Sequence, residues 1–127
     1  MSDFSLYENV GPVFRAESEI FSPVVGATTQ FLLRVTRDNA PVNDAVVTLQ
    51  VKNYEGQIVY PISGSGTQIV PLSSKYPGTY VIVPGSTNIF STSQHYYTVL
   101  WNVSTLANAD YPASVLPMTQ KILPVEP

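Results

Sequence analysis

The sequence predicts an all-β protein, a two-sheet antiparallel sandwich of about seven to nine strands. Eleven prolines and seven glycines are spread along the 127 residues, so few windows are long enough for a helix. The segments between them are rich in Val, Ile, Thr and Tyr, which suit a pleated sheet. No apolar stripe of helical spacing runs for more than one turn, and turn signals recur at the intervals typical of a sandwich.

Length, composition and charge limit the class of protein. A chain of 127 residues predicts one domain, and its 44% of hydrophobic residues can form a core without metal or disulfide support. The absence of cysteine excludes disulfides, thiol catalysis and cysteine-based metal sites. Because the net charge is −3, with six Lys and Arg residues, we expect no direct binding to nucleic acid or to an anionic membrane.

Alternating apolar and polar residues predict the strands of the first half of the chain. We expect these strands at residues 13–21, 28–37 and 45–54. The residues that share one face of each strand are Phe14, Ala16 and Ser18, then Phe31, Leu33 and Val35, then Val47, Leu49 and Val51. Residues 38–44 read DNAPVND, a composition that favours a turn.

Turn signals divide the second half of the chain in the same way. Glu55-Gly56 predicts a tight hairpin, and Gly64-Ser65-Gly66 predicts a second turn. The strands expected here are 57–62, 67–72, 79–83 (closed by Pro84-Gly85), 96–104 and one within 114–125. In the strand at 96–104 one side carries Tyr97, Val99, Trp101 and Val103. Pro117 and Pro124 indicate that the last strand lies at an edge or is broken in two, and 104–110 is expected to be a loop with one helical turn.

Four short motifs carry a resemblance to a known family. They are TRDNAPVNDAVV at 36–47, Tyr54-Glu55-Gly56, YPGTY at 76–80 and YTVLWNV at 97–103. In this order they resemble the immunoglobulin-like modules of bacterial and bacteriophage structural proteins. The resemblance implies an immunoglobulin-like sandwich domain over residues 13–125, without the cysteine pair of antibody domains.

Apolar residues near both termini predict contacts beyond this domain. Phe4, Leu6, Tyr7 and Val10 precede Gly11-Pro12, which indicates an N-terminal arm over residues 1–12. The C-terminal segment Ile122-Leu123-Pro124-Val125 is similar. We expect such arms either to cover their own sandwich or to reach a neighbouring subunit.

No group of residues indicates catalysis, a cofactor or a metal. His95 is the only histidine, and a serine nucleophile needs a base held by a third group, so we predict a half-exposed loop residue with local hydrogen bonds. Glu17 and Glu19 share one strand face, which favours a solvated surface over a catalytic pair. One loop is rich in side-chain oxygens, which calcium prefers as ligands, but the same residue types also favour turns. These residues are Asp38, Asn39, Asn43 and Asp44. We therefore expect a non-enzymatic protein without metal or cofactor.

The aromatic residues are the most informative surface signal, with eight Tyr against five Phe. Large rings contribute most to burial in a small sandwich, and we assign Trp101, Tyr97 and Tyr80 to the core. The tyrosines expected at strand ends or on the other face are Tyr54, Tyr76, Tyr96 and Tyr111. Exposed tyrosines suit glycan stacking or a protein interface, while the alternative is that each covers one end of the sandwich.

Fold analogy and composition together predict a bacteriophage virion structural protein, either a capsid decoration (cement) protein or a neck or tail component. It would be made in the host cytoplasm, because no signal peptide is visible, and would act through contacts with capsid or tail subunits in a homo-oligomer or multi-copy assembly. The expected contact residues are Phe4, Leu6, Tyr7, Tyr76, Tyr96, Tyr111, Ile122 and Leu123.

The competing prediction is a carbohydrate-binding or adhesive module of a cell-surface protein. Its stacking platform would consist of Tyr96, Tyr97, Trp101 and Tyr111. Strand alternation argues against this platform, because Tyr97 and Trp101 are expected to point inward together. An accessory domain of an enzyme is a third possibility.

Overall fold

The computed structural model describes residues 14–84 and 89–127, and these form a two-sheet antiparallel β-sandwich. The described residues contain nine strands and no helix, which confirms the predicted all-β class. The strands are β1 (Phe14–Phe21), β2 (Gln30–Arg37), β3 (Ala40–Pro41), β4 (Val46–Lys52), β5 (Ile58–Tyr60), β6 (Gln68–Ile69), β7 (Thr79–Ile82), β8 (Tyr97–Thr105) and β9 (Ser114–Ile122). The predicted N-terminal arm lies outside the described residues.

The first sheet is built around β2. Strand β1 pairs with β2 along its whole length, from Phe14 opposite Arg37 to Phe21 opposite Gln30. Since a strand has only two edges, β3 and β7 share the other edge of β2, where they pair with different parts of it. The outer edge of β1 is left without a partner strand among the described residues.

The second sheet has the order β9-β8-β4, with β5 and β6 both paired to β4. Nine residue pairs join β8 to β9, from Tyr97 opposite Ile122 to Thr105 opposite Ser114. Strand β9 is therefore an unbroken edge strand, and Pro117 lies within it opposite Asn102. An edge position tolerates proline because one side of the strand makes no ladder hydrogen bonds.

The core lies between the two sheets, and the predicted inward faces of the central strands are confirmed. Phe31, Leu33 and Val35 of β2 are fully buried. They face the alternate residues of β4 and β8, which are Val47, Leu49, Val51, Tyr97, Val99, Trp101 and Val103. The Phe31 ring lies 6.5 Å from the Trp101 ring across the interface between the sheets. Burial of each such side chain stabilises the fold by about 1.5–3 kcal/mol.

Two connections differ from the sequence prediction. The expected turn at 38–44 contains a short hairpin, because Asp38 and Asn39 both adopt positive φ (52° and 68°) and return the chain so that Ala40 pairs with Arg37. The helical turn expected within 104–110 is wrong. There the side-chain oxygen of Asn108 accepts hydrogen bonds from the backbone N–H groups of Asp110 and Tyr111, at 2.8 and 2.9 Å. Such a side-chain turn competes with a helix.

Candidate functional site

The sandwich separates the predicted contact residues into two groups at opposite ends. Tyr96, Ile122 and Leu123 lie where β8 begins and β9 ends. Tyr76 and Tyr111 lie at the other end, beside the turn before β7 and the turn before β9. The remaining three residues, Phe4, Leu6 and Tyr7, are outside the described residues. The predicted contact residues that the structure describes therefore do not form one continuous surface.

One end carries a concave surface on the outer face of the second sheet. The strand register places Lys52 of β4, Thr98 of β8 and Lys121 of β9 side by side in one row across the sheet. All three line a concavity of about 530 Å³. We call this surface the lysine–tyrosine face; its other principal residues are Tyr54, His95 and Tyr96.

A stacked pair of rings borders the lysine–tyrosine face. The ring centroids of Tyr54 and His95 lie 3.9 Å apart, and their planes differ by only 19°. Both side chains are exposed, as is neighbouring Tyr96. His95 is an exposed residue of the loop before β8, and the contact that the structure shows for it is stacking on the Tyr54 ring rather than the local hydrogen bonds that we predicted.

The hairpin between β4 and β5 holds Tyr54 in position. The side-chain oxygen of Asn53 accepts hydrogen bonds from the backbone N–H groups of Glu55 and Gln57, at 3.0 and 2.9 Å. The backbone N–H of Asn53 donates to the Gln57 carbonyl at 2.9 Å, and Gly56 supplies a positive φ of 81°. These bonds fix the turn, so Tyr54 projects beside the segment that leads into β8.

The charges on the lysine–tyrosine face are all positive. Of the ten residues that line the concavity, two are lysines and none is acidic. Within the described part of the chain, neither Lys52 nor Lys121 forms an ion pair with a carboxylate. Glu126 near this end accepts a hydrogen bond from the Ser93 hydroxyl instead.

The stacking platform considered from the sequence does not form. Tyr97 and Trp101 are only 1% and 2% exposed, because both point inward from β8 as alternation predicted. The Tyr97 hydroxyl accepts a hydrogen bond from the backbone N–H of Ser91 at 2.9 Å. A different pair of rings, Tyr54 and His95, is stacked at the surface, and sequence analysis missed it because residues 41 positions apart meet only once β4 and β8 pair.

A second surface is the cleft between the two edge strands β1 and β9. Its apolar lining consists of Phe14, Ala16, Leu116 and Met118, and it encloses about 720 Å³. The charged residues Arg15 and Glu17 lie on its rim. Farther along, the Ser18 hydroxyl donates a hydrogen bond to the side-chain oxygen of Gln120 at 2.7 Å and joins the two strands. We call this surface the edge cleft.

The remaining candidates from the sequence take part in structure. The guanidinium of Arg37 lies over the rings of Tyr111 and Phe14, with its Cζ atom 4.5 and 4.8 Å from the two ring centroids. Asn43 in the oxygen-rich turn accepts a hydrogen bond from the Gly78 N–H at 2.7 Å.

Across residues 14–84 and 89–127, no three His, Asp or Glu side chains are grouped as a metal site requires. The same residues contain no helix of the length and apolarity needed to cross a membrane.

Comparison of the chain with protein-family models, with curated proteins and with solved structures finds no match.

Proposed function

We propose that this chain is a non-enzymatic structural protein of a bacteriophage particle, an immunoglobulin-like decoration, neck or tail subunit that acts through contacts with other subunits. The observation that carries the proposal is the edge cleft. Apolar side chains from both sheets line it, and β1 on one side of it has an outer edge that pairs with no strand among the described residues. Subunit interfaces commonly bury apolar area and pair exposed strand edges.

The partner that fits this surface is a second copy of the chain. If two β1 strands pair antiparallel about Ala16, Arg15 of each copy lies opposite Glu17 of the other. The exposed pair Arg15 and Glu17 therefore complements itself, as a twofold contact requires. Pairing in this register also brings the two apolar clefts next to each other.

The first test of the proposal is co-sedimentation. Particles and lysate from the source are separated on a density gradient, and this chain is followed by mass spectrometry. Many copies in fractions that contain nucleic acid are expected, and the copy number distinguishes capsid decoration from a tail position. Recovery only in soluble or cell-surface fractions contradicts the proposal.

The contact between copies is tested by charge reversal at β1. Arg15→Glu and Glu17→Arg each place like charges opposite each other, so each is expected to weaken self-association about tenfold or more in analytical ultracentrifugation. The double variant restores opposite charges and is expected to recover the association, while Lys75→Glu in a distant turn serves as the control. Failure of the double variant to recover, or an effect of Lys75→Glu of the same size, contradicts this contact.

A second candidate function is carbohydrate binding, because the lysine–tyrosine face presents stacked rings on a concave surface. Tyr54, His95 and Tyr96 are exposed there beside the Thr98 hydroxyl. Rigid aromatic rings with polar atoms at their rim are typical of such sites. Binding on a glycan array that is lost in Tyr54→Ala supports this function, and an array without signal contradicts it.

A further inference from the structure

We infer that the lysine–tyrosine face binds an acidic oligosaccharide, with its carboxylate groups between Lys52 and Lys121 and a sugar ring against the aromatic side chains. The inference rests on the second candidate function and specifies its ligand. Three observations support it: the spacing of the lysines, the arrangement of the rings, and the charge of the concavity relative to the rest of the chain.

The lysines are placed to hold one ligand from two sides. Lys52 and Lys121 are the two direct neighbours of Thr98 in the strand register, so their Cα atoms are about 10 Å apart, which is twice the spacing between strands. Each ammonium group is on a flexible four-carbon stem with three donors. An anionic group above Thr98 is therefore within reach of both lysines.

The aromatic residues suit a sugar ring rather than a compact anion. The faces of aromatic rings carry negative partial charge, and the polarised C–H groups of a pyranose ring pack on them. Stacking of Tyr54 on His95 restrains both rings, so little side-chain entropy remains to be lost when a ligand binds. The phenol groups of Tyr54 and Tyr96 add donors and acceptors for sugar hydroxyls.

The distribution of charge favours a short acidic ligand over a long polyanion. The whole chain has a net charge of −3, and its cations are few, whereas the lining of this face has two lysines and no carboxylate. A nucleic acid tracks an extended basic surface, which a concavity of about 530 Å³ with two lysines does not provide. A ligand of a few sugar residues with carboxylate groups matches the size of this concavity and is opposite in charge to its two lysines.

The experiment compares one saccharide with and without its charge. The full chain is titrated with trigalacturonic acid and with its methyl ester, which has the same rings but no carboxylates, and backbone NMR shifts are followed. We expect the acid to bind about tenfold more tightly than the ester, since each exposed ion pair contributes up to about fivefold. The shifted resonances are expected at Tyr54, Tyr96 and Thr98.

Variants separate the two parts of the site. Lys52→Gln with Lys121→Gln is expected to weaken binding of the acid about tenfold and to leave binding of the ester unchanged. Tyr54→Ala is expected to weaken binding of both, whereas Tyr54→Phe retains most of it because the ring is kept. Lys75→Gln removes one exposed lysine from a distant turn and is the charge control. All of these side chains are at the surface, and unchanged circular dichroism confirms the fold.

The outcomes distinguish this inference from the function on which it rests. Equal affinity for the acid and the ester overturns the preference for acidic sugars and leaves carbohydrate binding supported. No binding of either, or equal losses in Lys75→Gln and in the double lysine variant, overturns the inference. The subunit contact at the edge cleft is tested by separate variants on β1 and is not affected by either result.

Discussion

The hydroxyl of Tyr80 donates a hydrogen bond to the carbonyl oxygen of Val42 at 2.8 Å. It also accepts one from the backbone N–H of Ala45 at 3.0 Å. Tyr80 belongs to β7 in the first sheet, and Ala45 directly precedes β4 in the second. One buried phenol therefore fixes the connection by which the chain passes between the sheets.

Removal of this hydroxyl is expected to lower the free energy of unfolding. Tyr80→Phe keeps the buried ring but leaves the Val42 carbonyl and the Ala45 N–H without their partner, which costs about 1–3 kcal/mol. Urea denaturation measures the loss. A variant as stable as the parent contradicts the assigned role of the hydroxyl.

Stability is also expected to fall at alkaline pH. Burial raises the pKa of Tyr80 above its ordinary value of 10.0, the hydrogen bond from Ala45 partly opposes this, and the charge of Asp44 adds to it. Burial raises the pKa of Tyr60 as well. Above about pH 10 the unfolded chain loses these protons while the folded chain retains them, so stability is full below that pH and declines as the pH rises.

The alkaline decline is measured by urea denaturation at a series of pH values. Tyr80→Phe removes one of the two described tyrosines with a raised pKa, so the stability of this variant is expected to fall less steeply above about pH 10. Equal slopes for the variant and the parent contradict the contribution of Tyr80.

Gly78 is expected to be intolerant of any side chain. Its φ is +68°, and a Cβ atom there would lie 2.7 Å from the Pro41 Cβ and 2.8 Å from the Val35 carbonyl oxygen. Gly78→Ala therefore combines a left-handed backbone with a steric clash, and we expect a loss of about 2–5 kcal/mol.

Gly64→Ala is the matched control for this substitution. Gly64 has a φ of +80°, yet nothing lies within 4 Å of the position of its Cβ atom. Only the conformational cost of about 1–2 kcal/mol is expected there. Thermal denaturation of both variants gives the part of the stability loss that the steric clash at Gly78 causes. Equal losses of stability in Gly78→Ala and Gly64→Ala contradict that clash.

Arg37 is expected to stabilise one end of the sandwich through the shape of its guanidinium. The group lies over the Phe14 and Tyr111 rings and donates to the Ser114 hydroxyl at 2.8 Å. Lysine keeps the charge but not the planar group, so Arg37→Lys is expected to cost about 1–3 kcal/mol. Arg34→Lys, at an exposed position of the same strand, is expected to change stability by less than about 0.5 kcal/mol. Equal losses of stability in Arg37→Lys and Arg34→Lys contradict the stabilising role of the Arg37 guanidinium.

The fluorescence of the single tryptophan reports the interior and not the surface. Trp101 is 2% exposed, and its indole N–H has no hydrogen-bond partner among the described residues. We expect a blue-shifted emission maximum that does not change when saccharide is added at the lysine–tyrosine face. A shift or quenching on addition of sugar contradicts the inward orientation of Trp101.

The fold was largely predictable because its signals are local. Alternation along β2, β4 and β8 predicted which residues are buried, since the side chains of a strand alternate between its two faces. Pro117 indicated an edge strand, which β9 is. The helical turn expected within 104–110 is absent because the Asn108 side chain accepts a backbone hydrogen bond there, and such bonds compete with a helix.

The two candidate surfaces were not predictable, because each depends on which strands become neighbours. Lys52 and Lys121 both lie on the outer face of the second sheet, yet only the pairing of β4 and β9 with β8 brings them to either side of Thr98. The same pairing places Tyr54 on His95. Strand order is decided by the packing of the whole core and not by any short segment. Periodicity along the chain thus determined what is buried, whereas contacts between distant segments decided which exposed side chains form a site.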